Sequence, residues 1–311
     1  MNMNDVNTAK ERLQFYLAPT PLIYSTHLQH KLNKAVWLKL ETQLPTGSFK
    51  PRPAFNSILT HLEAARKQGV IASSSGNFAQ GVAYAARELN ISAMIIMSEK
   101  TSPYKISRTK ALGAEVILCG NSYEDRVNTT NELQQKTGRM LVHPYDTLET
   151  IAGDGTIGLE LSEQLGKKLN NMSVLVPVSG GGLIAGIAYV LKSLYPSCKI
   201  IGVQPKVNGS LLKSMQAGQC VNVGTVTSIA DALTAATPGQ ISFDFIKNYV
   251  DEAILVEETE IQSATRYLIE EHKLVVEPGG AISVAALTAG KVTASETVCI
   301  ISGGNINLWN D

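Results

Sequence analysis

The chain reads as a two-domain α/β protein with open, mostly parallel twisted sheets and helices on both faces. Two observations predict this class. Short apolar, β-rich runs alternate with amphipathic stretches along the 311 residues, as in parallel strands buried on both faces by crossover helices. Three polar turns follow such runs and lead into helix-like segments, and ligands of parallel sheets collect in turns of that kind.

Taken in order, strands are predicted over 36–40, 70–72, 94–97, 116–118, 174–178, 199–203 and 298–301. Helices are predicted over 54–66, 78–89, 104–112, 123–135, 183–194 and 260–271. The length suits roughly two domains of about 150 residues each. No repeat, low-complexity tract or long linker marks a boundary. The stretch 147–155, TLETIAGDG, contains glycines and lacks periodicity, so it is the best candidate for a crossing between domains.

Composition narrows the function classes. The chain is 44% hydrophobic and 17% charged, enough for a sizeable core. Lys+Arg and Asp+Glu are both 27, and this balance gives no support for a nucleic-acid or anionic-membrane partner. The polar N-terminus has no signal-peptide core, and no apolar run reaches membrane-spanning length. Cys119, Cys198, Cys220 and Cys299 lack paired spacing, which favours free thiols in a reducing, cytoplasmic setting. The five histidines show no zinc spacing, and no metal site is expected. Motifs of serine hydrolases, zincins and P-loop proteins are absent from the sequence.

The chemistry-bearing residues lie in turns. Lys50 closes Pro45-Thr46-Gly47-Ser48-Phe49-Lys50, with Pro51 and Pro53 suited to the first turn of the following helix. Most lysines are solvated surface residues, and Ser48 as a helix cap is the ordinary alternative. A lysine held against apolar groups such as Phe49 can instead lose its proton and act as a nucleophile. The run 174–178 leads into Ser179, Gly180, Gly181, Gly182 and Leu183. Three glycines cost about 2–3 kcal/mol of chain entropy relative to alanines, which is easier to explain if backbone N–H groups must approach a phosphate. Close packing of helix on strand is the alternative. The same turn fits a dinucleotide fingerprint, but the next strand ends in Gln204 where an acid should hold the ribose. Ser73-Ser74-Ser75-Gly76-Asn77 offers hydroxyls and N–H groups to a carboxylate, or only helix caps. Ser302, in Ser302-Gly303-Gly304-Asn305, can hydrogen-bond a ring nitrogen.

In this order the motifs resemble the fold-type II pyridoxal-phosphate enzymes (tryptophan synthase beta-like), and within them the serine/threonine dehydratase and serine racemase group. The carrying segments are PTPL, PTGSFKPRPAFN, SSGNFAQGVAYAARELNI, KALGAEVIL, AGDGTIGLEL, VPVSGGGLIAGIA, VVEPGGAISVAAL and ISGGNINL, from Pro19 to Leu308. The resemblance implies β-elimination of a small L-hydroxy amino acid, such as L-threonine or L-serine, to a 2-oxo acid and ammonia. Racemisation or 3-hydroxyaspartate dehydration is the alternative on the same scaffold. Two further alternatives are a nucleotide-binding oxidoreductase and a non-catalytic amino-acid sensor.

The resemblance also assigns roles. Lys50 would carry pyridoxal 5′-phosphate covalently and take the substrate Cα proton. Ser75 would be the acid/base of the opposite face. Phe49 would pack beside the ring, Asn77 would bond its hydroxyl, and Ser302 its nitrogen. Ser179, Gly180, Gly181, Gly182 and Leu183 would hold the phosphate. Ser74, Ser75, Gly76 and Asn77 would hold the substrate carboxylate. A large domain, 1–52 with 147–311, would anchor the cofactor, a small mobile domain, 53–146, would close over it, and the protein would be a homodimer.

Several positions depart from the pattern. Phe78 stands where histidine is common, Pro53 where glycine is usual, and Ser179 where a glycine is common. Gln204 and Ser210 occupy the positions at which racemase-like members carry cation-binding acids. The chain stops soon after the SGGN turn, so no C-terminal regulatory domain and no isoleucine feedback is expected.

Overall fold

A computed structural model describes residues 1–307. Leu308, the last residue of the C-terminal matching segment, lies outside the described residues. The first stretch runs α1 (Met3–Leu13), β1 (Leu22–Tyr24), α2 (Thr26–Leu32), β2 (Ala35–Leu40), a 3-10 turn (Glu41–Gln43), α3 (Pro51–Thr60) and α4 (Leu62–Gln68). Next come β3 (Val70–Ser73), α5 (Asn77–Glu88), β4 (Ala93–Ser98), α6 (Pro103–Ala111), β5 (Glu115–Cys119), α7 (Tyr123–Thr137) and β6 (Met140–Leu141). The chain continues through α8 (Leu148–Leu165), β7 (Ser173–Pro177), α9 (Gly182–Leu194), β8 (Lys199–Pro205) and α10 (Ser210–Ala217). It ends with α11 (Gln240–Tyr249), β9 (Glu252–Val256), α12 (Glu258–His272), α13 (Pro278–Thr288) and β10 (Glu296–Ile301).

The strands form two sheets. One has the order β1-β2-β10-β7-β8-β9, and the other β5-β4-β3-β6. Among the described strands only the β1–β2 pair is antiparallel; β10 pairs in parallel with both β2 and β7. The mixed α/β class is therefore the predicted one. Strands β4 and β7 are buried at every residue, as their apolar runs required. One apolar cluster joins the larger sheet to α12 and α13 and another joins it to α8, α9 and α11. A third packs α3 and α5 on the smaller sheet.

Two sequence expectations need correction. The predicted helix 54–66 is two helices, with His61 at φ −120° ending α3 after Thr60. The stretch 147–155, aperiodic in sequence, is helical: it opens α8, capped by Thr147, whose Oγ1 accepts from Thr150 N–H at 3.2 Å. Its glycines serve helix contact. A Cβ on Gly153 would stand 2.8 Å from the Arg52 carbonyl oxygen, and one on Gly186 of α9 would stand 2.4 Å from the Ile151 carbonyl oxygen. Small residues placed for packing against α3 and α9 carry little apolar periodicity, so the helix was hidden from pattern reading.

The fold sets the site by strand order. β2, β10 and β7 are neighbours, so the segments that follow their carboxyl ends converge. These segments lead to Lys50, to Ser302 and to the glycine turn at 179–183. The turn after β3 faces them from the smaller sheet.

Candidate active site

Lys50 is held from several sides. Phe49 N–H donates to the Ser302 carbonyl at 3.1 Å and Gly304 N–H to the Gly47 carbonyl at 2.8 Å, while Ser48 and Gly303 form an isolated antiparallel bridge. The lysine segment is thus stitched to the turn after β10. Lys50 then caps α3 in helical conformation, with Pro51 opening the helix where a missing N–H costs nothing. Its Nζ lies 4.5 Å from the Phe49 ring centre and 5.4 Å from that of Phe78, and donates to the Pro144 carbonyl at 3.1 Å. Burial pushes the amine below the ordinary lysine range, against the opposing charge of Asp154. A desolvated amine that sheds its proton readily can be both nucleophile and base.

Helix α5 backs this lysine. A Cβ on Gly81 would stand 2.8 Å from both the carbonyl carbon and oxygen of Lys50. Gly81→Ala is therefore expected to displace Lys50 and lower kcat by about 10²-fold, the scale for a misplacement near 1 Å. Steady-state kinetics checks this; an unchanged kcat would show that α5 does not position Lys50.

The glycine turn follows β7. Gly181 has φ +101° and opens α9 without a side-chain cap, which leaves first-turn N–H groups to meet an anion. Tyr145 lies over the turn: a Cβ on Gly180 would be 2.4 Å from its ring, so a larger residue does not fit there. Asp146 accepts from Gln240 N–H and Ser242 N–H, both at 3.0 Å, and so fixes the 143–146 strap against α11.

The turn after β3 is half-buried and opens α5 without a side-chain cap at Gly76. Ser74 Oγ accepts from Gly76 N–H at 3.3 Å. Ser75 Oγ accepts from Ser98 N–H at 3.2 Å and from Thr101 Oγ1 at 2.8 Å. Asn77 reaches across to the larger sheet's side: its Nδ2 donates to Glu277 and its Oδ1 accepts from Asn305 Nδ2 at 2.9 Å. Burial pushes Glu277 up to about 7, opposed by the Asn77 hydrogen bond. Lys105 of α6 pairs with Asp231 across the same gap.

The structure thus connects Lys50, Phe49, Asn77, Ser302 and the glycine turn, with Ser75 bonded to the end of β4. Comparison with known proteins points the same way. The family model described as pyridoxal-phosphate dependent enzyme matches residues 13–304. The chain belongs to that family. It is 40% identical over 309 residues to the L-threonine ammonia-lyase of Thermotoga maritima, covering 99% of this chain and 76% of that protein. It is 37% identical over 310 residues to the catabolic L-threonine dehydratase TdcB of Escherichia coli, covering 98% and 93%. Among solved structures, the threonine deaminase of T.th. superposes with a TM-score of 0.93 at 36% identity, covering all of both chains. Maize serine racemase superposes with a TM-score of 0.93 at 33% identity, covering 99% and 94%.

The residues present fit the cofactor of this pyridoxal-phosphate family. A desolvated amine lies over two aromatic rings, and an uncapped helix end with a glycine turn supplies an anion cradle. Sequence reasoning missed Gly81, Pro144, Tyr145, Asp154 and Glu277. Glu277 and Asp154 fall within VVEPGGAISVAAL and AGDGTIGLEL, two of the matching segments, so the motif was visible although the role was not. Gln204 donates to Ser210 Oγ at 3.1 Å and accepts from Leu211 N–H at 2.8 Å. Both ends of its amide are used by the protein itself.

Proposed function

We propose that this pyridoxal-phosphate enzyme is an ammonia-lyase that converts a small L-β-hydroxy amino acid, L-threonine or L-serine, to a 2-oxo acid and ammonia. The observation that carries the reading is Lys50, a buried amine below the ordinary lysine range, facing Phe49 and Phe78. When bound, the cofactor supplies the electron sink for the bond broken at Cα. Lys50 holds the cofactor and then takes the Cα proton. The turn 74–77 orients the substrate carboxylate at the uncapped end of α5. Asn77 and Ser302 orient the ring, residues 179–183 hold the phosphate, and Phe78, 2% exposed, helps to exclude water. Ser302 would meet the ring nitrogen with a neutral hydroxyl rather than a carboxylate, which would favour elimination over transamination.

Elimination is favoured over racemisation by the relatives at 37–40% identity, which are an L-threonine ammonia-lyase and an L-threonine dehydratase. Ser75 Oγ accepts two hydrogen bonds, which leaves its own O–H to donate. Residues 53–146 close over the substrate in this reading. Asn77 and Lys105 make contacts across the gap that closure tightens. Cys119, Cys198 and Cys299 are buried free thiols, in keeping with the cytoplasm; no described helix is long and apolar enough to cross a membrane. The homodimer rests on the family resemblance alone.

The test is product analysis with L-threonine and L-serine. The reading expects 2-oxo acid and ammonia in equal amounts, at least about tenfold faster than any D-amino acid, a margin of about 1.4 kcal/mol between the two barriers. D-serine as the main product would install racemisation instead.

A further inference from the structure

Asp154 lies in α8, is 0% exposed, and presents two carboxyl oxygens that meet no donor. Buried polar groups are nearly always hydrogen-bonded, so two orphan oxygens mark a place shaped for something else. A Cβ on Gly182 would lie 3.1 Å from Asp154 Oδ2. The carboxyl therefore stands against the first residue of α9, at the helix end that has no side-chain cap.

We propose that Asp154 is a further cofactor-holding residue, whose carboxyl group binds the phosphate from beneath the turn formed by residues 179–183. This rests on the reading of that turn as the phosphate cradle. Two anions repel each other, so Asp154 must contribute a proton, as a carboxylic acid that donates a hydrogen bond to a phosphate oxygen. The charged groups that act on it are Lys50 and Arg52 from the start of α3 and Glu41 from the 3-10 turn after β2; the first turn of α9 brings only Gly182, Leu183, Ile184 and Ala185. Burial pushes Asp154 up to about 7, with Lys50 and Arg52 opposing and Glu41 adding to the rise. A bound phosphate raises it further. Below its value in the cofactor-free protein Asp154 already holds the proton. Above that value, binding must take up a proton, and affinity falls by up to about tenfold per pH unit.

The experiment titrates cofactor-free wild type and Asp154→Asn with pyridoxal phosphate and with pyridoxal, from about pH 6 to about pH 9. The absorbance of the lysine-bound cofactor is the readout. An asparagine amide donates at every pH. Wild-type Kd for pyridoxal phosphate is expected to rise at least about tenfold more over this range than that of Asp154→Asn, while the two proteins show the same pH dependence for pyridoxal. Identical pH dependence for pyridoxal phosphate would overturn the role of Asp154 and leave the cradle standing. Equal wild-type affinity for pyridoxal and pyridoxal phosphate would overturn both. Should the variant not fold, the proton balance of binding to wild type decides, from calorimetry in two buffers of different ionisation enthalpy. Proton uptake that grows above neutral pH with pyridoxal phosphate and not with pyridoxal supports the proposal, and equal uptake for the two overturns it.

Discussion

Lys50→Ala is expected to lower 2-oxo acid formation from L-threonine by at least about 10⁴-fold, the upper range for removing a positioned proton-transfer group. The loss has two parts. In the proposed reading the cofactor would lose its covalent anchor, and no other described amine would stand over Phe49 and Phe78 to take the Cα proton. The fold should not suffer. Burial penalises the charged amine, so wild type carries a cost that is largest at low pH. It shrinks as pH rises from the lowered folded value towards the unfolded lysine value, because there the unfolded chain binds the extra proton. Alanine has no such cost, and the cofactor-free variant should melt no lower than wild type at neutral pH. Kinetics together with a melting curve checks this. Substantial residual turnover, or collapse of the fold, would count against a primarily catalytic lysine.

The second large effect belongs to Arg52, two residues further on. Its guanidinium makes a fork to each of two carboxylates: Nε and Nη2 to Glu41 at 2.8 and 3.0 Å, and Nη1 and Nη2 to Glu160 at 2.6 and 3.0 Å. Lys39 Nζ adds bonds to Glu160 at 2.5 Å and to the Thr20 carbonyl at 2.8 Å. All four charged residues are buried. Removing one partner of such a network leaves an uncompensated charge and costs about 3–5 kcal/mol. Arg52→Met should lose that much by urea unfolding, and Arg52→Lys should recover little, because one ammonium cannot make both forks. The network ties the start of α3 to β2 and α8, so catalysis should fall as well. Burial pushes Glu160 up, but Arg52 and Lys39 more than reverse it, leaving it below the usual carboxylate range. Its contribution is full above the unfolded value and is lost as pH falls through the folded one. A change in stability under about 1 kcal/mol would show that the network contributes little beyond an exposed pair.

The parts of the molecule legible in sequence are those whose physics is local. The run Val174-Leu175-Val176 could only be a buried strand, and the glycines after it signalled close approach. Turns at Lys50, Asn77 and Ser302 showed as breaks between apolar segments. What escaped was set by contacts distant in sequence. β1, β6 and β9 are edge strands of three, two and five residues, too short or too exposed for a clear pattern. The glycines of α8 resembled a linker because their neighbours are helices far along the chain. Asp154 and Glu277 read as ordinary acids in sequence; only the fold shows both buried, one against the first residue of α9 and the other bonded to Asn77. Phe78, noted only as a departure, proves to form one wall around the Lys50 amine.

The most direct test of the account is to load the protein with pyridoxal phosphate, reduce it with borohydride, digest it and identify the modified lysine by mass spectrometry. The account predicts cofactor on the peptide containing Lys50 and on no other lysine in stoichiometric amount. A stoichiometric label elsewhere, with Lys50 unmodified, would contradict it.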